Sequence, residues 1–489
     1  MSARTAVLPP VACFGEPRLT AGFDEFGSLD LAAHEEVHGP LEPLTINTLL
    51  RLAEEIRLTG RGGAGFPFAR KLKAVLESAR RQQLPPVVVV NATEGEPASR
   101  KDKALLTRAP HLILDGAALV AYALDADEIV IGVADDGVGE EPLAAALRER
   151  EMPVETGIVT VPHRFISGEG GALVRGINGE AHIPPGVKKR ASDSGVSGLP
   201  TLLSNAETFA QLALAARVGP AGYASVGTEK EPGTVLLTIG GAAGQPAVVE
   251  CPTGTPLADV LQLCDAPAGP GVLVGGYHGK WITPEAAAEA EVSRAGLAKV
   301  GGTLGAGIIL PLGPNTCPLG EVAQVVRYLA GESAGQCGPC RLGLPELARA
   351  ADLVVTGATD ADTVRNAAGV VKGRGACSHP DGTGRFATSA MEVFAADVVA
   401  HAKRDGCGRK VVGQLGLPAA AQEIKRRLAV DWSRCDGHGL CAHVVPEFIR
   451  LDGNGFPSFP PTPVPGWLER GAQKAVRMCP ALALSLSDE

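Results

Sequence analysis

A chain of 489 residues is too long for one ordinary hydrophobic core and predicts about three domains. With 45% apolar and 20% charged residues it has the composition of a soluble globular protein. A net charge of −9 argues against a nucleic-acid partner, no run of eighteen apolar residues predicts a membrane span, and the opening MSARTAVLPP lacks the apolar stretch of a secretion signal. A cytoplasmic location is expected, at most peripheral to a membrane complex, and there eleven cysteines read as ligands or free thiols rather than disulfides.

Residues 1–45 show little periodicity and read as an irregular arm. From Ile46 the spacing of Leu49, Leu50, Leu52 and Ile56 predicts an amphipathic helix to about Leu58. Gly60-Arg61-Gly62-Gly63-Ala64-Gly65-Phe66-Pro67 follows, then a basic helical stretch to about Arg81. Gly60, Gly62 and Gly65 satisfy G-x-G-x-x-G, but the dinucleotide fingerprint should follow a strand, and here a charged helix precedes it. What survives is a loop whose backbone N–H groups can approach a phosphate, with Arg61 and Lys71 supplying charge. Val87–Val90 reads as a buried strand ending in Asn91-Ala-Thr-Glu94-Gly-Glu96-Pro97, where open α/β sheets bind ligands. Glu94 and Glu96 suit hydroxyl, carboxamide or ring N–H donors rather than phosphate. Helix signals at 104–124, a strand at 128–134 and a helix from about Thr208 continue an α/β alternation, giving an α/β domain over 46–231.

Near residue 232 the character changes. Val235-Leu-Leu-Thr-Ile-Gly, Ala247-Val-Val-Glu and Gly271-Val-Leu-Val-Gly read as short strands, with one helix over Pro256–Leu263. This is a β-grasp-sized module, assigned to 232–300. A helical domain is expected over 301–405, with cysteine-bearing breaks, then a linker over 406–425. In the final segment, 426–489, Cys435-Asp-Gly-His438-Gly-Leu-Cys441 is followed by a distant Cys479-Pro480. A short cysteine pair with a remote Cys-Pro is how small α+β ferredoxins hold a cubane-type cluster. His438 stands where the usual run has a third cysteine, so Cys435, Cys441 and Cys479 suit [3Fe-4S], or [4Fe-4S] with His438 or water on the fourth iron.

Several stretches, in order, carry a family resemblance: GRGGAGFP (60–67), NATEGEP with Lys101-Asp102 (91–102), Ile166-Ser-Gly-Glu169, Ser204-Asn205-Ala-Glu-Thr208, and Glu332-Ser-Ala-Gly-Gln-Cys337-Gly-Pro-Cys340-Arg341. Over roughly 45–400 the chain resembles the NADH-oxidising flavoprotein subunit of respiratory complex I and its hydrogenase and formate-dehydrogenase relatives. The resemblance implies an FMN-binding α/β domain, Rossmann-like but not the ordinary dinucleotide fold, a soluble-ligand-binding β-grasp module and a helical iron–sulfur domain. It places FMN on Gly60, Arg61, Gly62, Lys71, Asn91, Glu94, Phe165, Gly168, Glu169, Asn205 and Thr208. Thr93, Phe165 and Ser204 replace the family's aspartate, tyrosine and asparagine.

For the nicotinamide nucleotide the resemblance retains Phe66 and Glu96. The family's second glutamate after Gly168 is Gly170 here, and two aromatics fall at Ala74 and Arg190. Each lost stack removes about 1 kcal/mol. In the helical domain the first cluster cysteine is Ala334, leaving Cys337, Cys340 and Cys377. Cys317, in an isolated Cys-Pro at a helix start, is the expected fourth ligand of a [4Fe-4S] cluster; the alternative is a three-thiolate site helped by His379. Cys13, Cys251, Cys264 and Cys407 are expected to be packing residues.

FMN exchanges two electrons and iron–sulfur clusters pass one at a time, so a chain with these parts is expected to be a two-to-one electron converter. One reading is an NADH dehydrogenase-like enzyme feeding its ferredoxin tail and then a redox partner: a monooxygenase, a reductase or a membrane protein that carries electrons. The other is an electron-transfer protein that has lost NADH binding and is reduced by another protein.

Overall fold

The computed structural model describes residues 9–187, 189–403, 406–418, 426–460, 463–464 and 468–488. Val87–Ala92, an almost uninterrupted β-branched run, is the centre of a four-stranded sheet in which every pairing is parallel. The strand order is Glu155–Val161, Glu128–Ala134, Val87–Ala92, Thr201–Asn205. The chain therefore winds outward on one side of Val87–Ala92 and returns to its other side with Thr201–Asn205. That reversal opens a crevice beyond the strands' C-terminal ends, and Asn91 and Asn205 lie opposite each other at its lip.

Helices cover the sheet where the sequence calls for them. Thr45 caps Ile46–Glu55, accepting from the Thr48 N–H. Phe68–Gln82 buries Phe68, Leu72 and Val75 and turns its basic side outward. The helix expected over 104–124 is two, Lys101–Arg108 and Pro110–Leu124, because Pro110 cannot continue the first and starts the second. This bent pair has the length and composition of a broken membrane span, but it is almost entirely buried against the α/β core; no single described helix is long and apolar enough to cross a membrane.

The second sheet has six strands in the order Val11–Cys13, Ala247–Pro252, Thr234–Ile239, Ile308–Pro311, Val272–Val274, Lys280–Ile282. Two sequence expectations change here. Residues 1–45 are not wholly an irregular arm: Val11–Cys13 joins the sheet as a parallel edge strand, too short to carry a periodicity, and Leu31–His38 is a helix capped by Asp30. The module also runs past residue 300, since Ile308–Pro311 lies between Thr234–Ile239 and Val272–Val274. One face of this sheet shares a core with the helical domain, where Leu273, Tyr277, Trp281 and Ile308 pack with Val322, Leu347, Phe386 and Phe394.

The helical domain consists of Pro318–Gly331, Leu344–Val355, Ala361–Val371, His379–Val393 and Ala395–Ala402. The expected linker is in its described part a strap. The Val412, Gly413 and Gln414 N–H groups all donate to the buried Glu321 carboxylate, the Tyr277 hydroxyl donates to the Leu415 carbonyl, and Leu415 is buried. Residues 419–425 of that expectation lie outside the described residues. In the last segment Arg426–Val430 pairs antiparallel with Leu484–Asp488, and Leu440–Val444 and Glu469–Met478 pack on a small core of Leu428, Val445, Phe448, Ile449 and Ala475.

Candidate functional site

At the crevice the backbone supplies most of the construction. Three helices begin at one cavity of about 560 Å³, and residues at each start line it: Lys101 and Asp102, Glu169 and Gly170, and Asn205. Their capping groups are the acidic and amide residues of the sequence motifs. Glu94 is buried and accepts from the Asp102 N–H at 3.1 Å, the Lys103 N–H at 3.1 Å and the Ser99 hydroxyl. Glu169 accepts from the Ala172 N–H at 2.9 Å, and Asn205 from the Glu207 N–H at 3.1 Å. Convergent helix starts make the crevice favourable for anionic and electron-rich groups.

Glycines leave the room. Gly62 lines the cavity, and a Cβ there would sit 3.2 Å from the Asn205 Cβ. A Cβ on Gly95 would meet the Arg164 carbonyl at 2.2 Å. Gly275, at φ +90°, lets the loop after Val272–Val274 close the cavity against Thr303 and Gly305. Asn91 donates to the Gly168 carbonyl at 2.9 Å and accepts from the Thr93 hydroxyl, which fixes the two loops relative to one another.

Of the residues expected to hold FMN, Gly62, Asn91, Glu94, Phe165, Gly168, Glu169 and Asn205 line this cavity. Gly60, Arg61, Lys71 and Thr208 do not. Gly60 closes the loop by donating to the Phe66 carbonyl. Arg61, expected to offer charge to a ligand, is buried; its guanidinium donates to the Thr234 carbonyl and faces Glu207, joining the α/β domain to the six-stranded sheet. Its own N–H donates to the Thr208 hydroxyl, which is thereby committed. Lys71 donates to the Leu203 carbonyl at 2.6 Å, and burial lowers its pKa to about 8. Lys101, quoted in a motif but given no role, forms buried ion pairs with Asp102 and Glu207 beside the cavity.

The donor set fits FMN: helix starts for its phosphate, carboxylates and amides for its hydroxyls and ring edge, and glycines for close approach. The Ser167 and Ser204 hydroxyls, on two of the segments that build the crevice, are buried without a hydrogen-bond partner among the described residues.

A second, wider cavity of about 1090 Å³ is lined by Phe66, Lys71, Ala74, Arg175, Lys189 and Arg190, among others, and shares Gly170 with the first. Phe66 is half exposed in it and is its one aromatic wall residue among the described residues. Glu96 belongs to the first cavity. It is partly buried, accepts from the Tyr277 N–H at 2.6 Å, and desolvation raises its pKa to about 8. Tyr277 belongs to an aromatic group with no signal in the sequence: Phe165 stacks on Tyr277 and meets His278 edge-on, with Tyr328 and His379 alongside.

One segment forms both a wall of the first cavity and part of the cysteine site. Ser378, His379 and Asp381 line the cavity, and Cys377 immediately precedes them. The Cys337 and Cys340 sulfurs are 3.5 Å apart on a turn that enters the π-helical Pro339–Gly343. The hydrogen bond that Cys340 donates to Cys337, burial, and the charges of Cys337 and Cys377 together push the Cys340 thiol up. Three soft donors that repel one another in this way suit a cationic iron cluster. His379 has no ring nitrogen left for iron, because Nε2–H donates to the Leu329 carbonyl at 2.8 Å and Nδ1 accepts from His278 at 3.1 Å. Cys317 is placed elsewhere, with its sulfur 3.4 Å from His401 Nε2 and beside Cys407.

In the last segment burial raises the Cys441 thiol, and the charges of the nearby Cys479 and Cys435 add to it. His438 is exposed. This segment rests on the cysteine loop of the helical domain: Arg450 donates to the Gln336 carbonyl at 2.7 Å, and a Cβ on Gly335 would sit 2.9 Å from the Glu447 carbonyl.

Comparison with known proteins agrees with this order of parts. Residues 53–214 match the Nuo51 FMN-binding domain, 321–401 the NADH-ubiquinone oxidoreductase-F iron–sulfur binding region, and 428–486 the 4Fe-4S single cluster domain. The F 2 subunit of the NADH-quinone oxidoreductase of Rhizobium meliloti (strain 1021) is 26% identical over 74% of this chain and 90% of its own. The F subunit of the Streptomyces coelicolor NADH-quinone oxidoreductase is 26% identical over 80% of this chain and 92% of its own. Among solved structures, an NAD+-reducing [NiFe]-hydrogenase in the air-oxidized state superposes with a TM-score of 0.71 at 25% identity, over 81% of this chain and 68% of that one. The chain thus matches, in succession, a Nuo51 FMN-binding domain, an F-type iron–sulfur binding region and a 4Fe-4S single-cluster domain, and over most of its length it is similar to NADH-quinone oxidoreductase F subunits.

Proposed function

We propose that the chain is an NADH dehydrogenase-like flavo-iron–sulfur oxidoreductase that passes electrons from NADH, through FMN and the cluster of the helical domain, to its own ferredoxin segment and on to a redox partner. The observation that carries this reading is the succession of contacts. The wide cavity adjoins the crevice at Gly170, the crevice shares the 377–381 segment with the cysteine site, and the cysteine loop carries the ferredoxin segment through Arg450 and Gly335.

FMN, when bound, supplies exchange of a hydride at one face and release of single electrons. The chain's own residues bind and orient. Gly62, Asn91, Gly168 and Asn205 form the flavin cradle, with Glu94 and Glu169 holding the helix starts that face it. Phe66 and Glu96 are the contacts proposed for the nicotinamide nucleotide. Cys337, Cys340 and Cys377 hold the first cluster, and Cys435, Cys441 and Cys479 the second.

The width of the second cavity favours a second reading. With Ala74 and Arg190 at positions the family fills with aromatics, its walls offer cations but little to stack on. On that reading the flavin is reduced by another protein. Anaerobic addition of NADH, then NADPH, to the reconstituted full chain separates the two. Bleaching of the flavin followed by reduction of both clusters is expected; flavin reducible by dithionite but by neither nucleotide would replace the first reading with the second.

A further inference from the structure

We infer that Cys317, His401 and Cys407 form a zinc site, separate from the iron–sulfur centres, that clamps the strap leading to the ferredoxin segment. The Cys317 sulfur, the His401 Nε2 and the Cys407 sulfur all lie within 4.8 Å of one another. Among the described residues no other three His, Cys, Asp or Glu side chains bring ligand atoms so close together. The Cys317 sulfur to His401 Nε2 distance is 3.4 Å, close to the edge of a tetrahedron with Zn–S of about 2.3 Å and Zn–N of about 2.0 Å.

The surroundings prepare each donor. His401 Nδ1–H donates to the Val355 carbonyl at 2.6 Å, which fixes the tautomer and leaves the Nε2 lone pair facing the two sulfurs. The Cys317 sulfur caps the helix Pro318–Gly331 and accepts from the Gly320 N–H, which works against the burial that raises this thiol. Arg409 lies beside Cys407. It is held in an ion pair with Asp397, one turn before His401 on the same helix, so its charge is balanced. Two thiolates and a neutral imidazole balance a divalent ion, and binding releases the protons of the two thiols. This donor set selects zinc over magnesium or calcium, and it falls short of the four sulfurs that cubane clusters favour. A water completes the fourth position.

The three ligands come from three segments. Cys317 opens the helix that ends at the cysteine loop, His401 lies near the end of the last helix of the domain, and Cys407 lies at the root of the strap. The Cys317 N–H donates to the Lys410 carbonyl at 3.0 Å, so the strap is already laid against the site. Zinc would fasten it there.

The test is metal analysis of the anaerobically purified full chain, grown with added zinc, beside the variants C317A and C407A. One zinc per chain is expected, falling at least fivefold in either variant while iron and flavin stay at the wild-type level. Zinc X-ray absorption on the unmodified chain keeps the test independent of how the variants fold; it should show two sulfur neighbours at about 2.3 Å. No zinc in a chain with full iron and flavin would overturn the inference. So would loss of iron in C317A with zinc unchanged, which would return Cys317 to the cluster, or a Cys317–Cys407 disulfide found by mass spectrometry.

Discussion

The two cavities that meet at Gly170 are built on different principles. The crevice is made by backbone: helix starts, glycines at close approaches, and caps that hold them in place. The wide cavity next to it depends on side chains for its walls, and these are short or basic, as at Ala74 and Arg190. A site made by backbone keeps its helix starts and glycine approaches whatever side chains stand at Thr93, Phe165 and Ser204. A site made by side chains widens with every truncation. The proposed flavin cradle and the proposed nucleotide pocket can therefore diverge independently although they touch.

The sharpest way to break this contrast is to put bulk where only backbone fits. Gly62→Val forces γ-carbons against Asn205, and overpacking of this kind costs about 1–3 kcal/mol. Flavin retention, read from the absorbance of the desalted protein, should fall by roughly 10- to 100-fold at 1.4 kcal/mol per decade. Full retention would mean that the flavin does not lie over the loop. Glu96→Gln addresses the charge of the crevice itself. Burial raises the Glu96 carboxyl, so the folded chain holds a proton that the unfolded chain releases above about pH 4.5. Stability from this group is complete below that value and is lost as pH rises toward 8, at up to about 1.4 kcal/mol per unit. Flavin-depleted protein should therefore melt at lower temperature at pH 7.5 than at pH 6, and the Gln variant should lose most of that difference. A slope unchanged in the variant would assign it to other groups.

Two smaller effects sharpen the comparison. Ala74→Phe returns an aromatic wall to the wide cavity, and one stack at about 1 kcal/mol should lower the KM for NADH about fivefold with kcat nearly unchanged. An unchanged KM would place the adenine elsewhere. Arg450→Ala removes one exposed hydrogen bond to Gln336, worth about 1 kcal/mol. Stopped-flow reduction of the ferredoxin cluster should slow severalfold while the flavin is reduced at its original rate. An equal rate for both would point to a route that does not need this contact.

What the sequence disclosed follows the same division. The crevice was legible because glycines and caps write backbone geometry directly into residue type, and Gly62, Asn91 and Asn205 line it. Arg61 and Thr208 stand outside that lining for a physical reason. Nothing in a local motif distinguishes an arginine that meets a ligand from one that pins a neighbouring sheet through Thr234 and Glu207. The Tyr277–His278 contacts with Phe165 and His379 depend on how the β-grasp loop docks, and Cys317 meets partners 84 and 90 positions away. The expected linker hid its strap because the Glu321 carboxylate that holds it accepts backbone N–H donors, which every residue but proline offers.

The segment from Cys377 to Asp381 has a consequence for tuning. The same few residues supply a thiolate to one proposed redox centre and a wall to the other. A charge added or removed there is felt at both, so their two midpoint potentials must shift in the same direction. The driving force between them is then buffered against local change, whereas their common level against outside donors and acceptors is not. A chain adapting to a new partner can raise or lower the entire pair with one substitution in this wall and leave the internal step nearly unaltered.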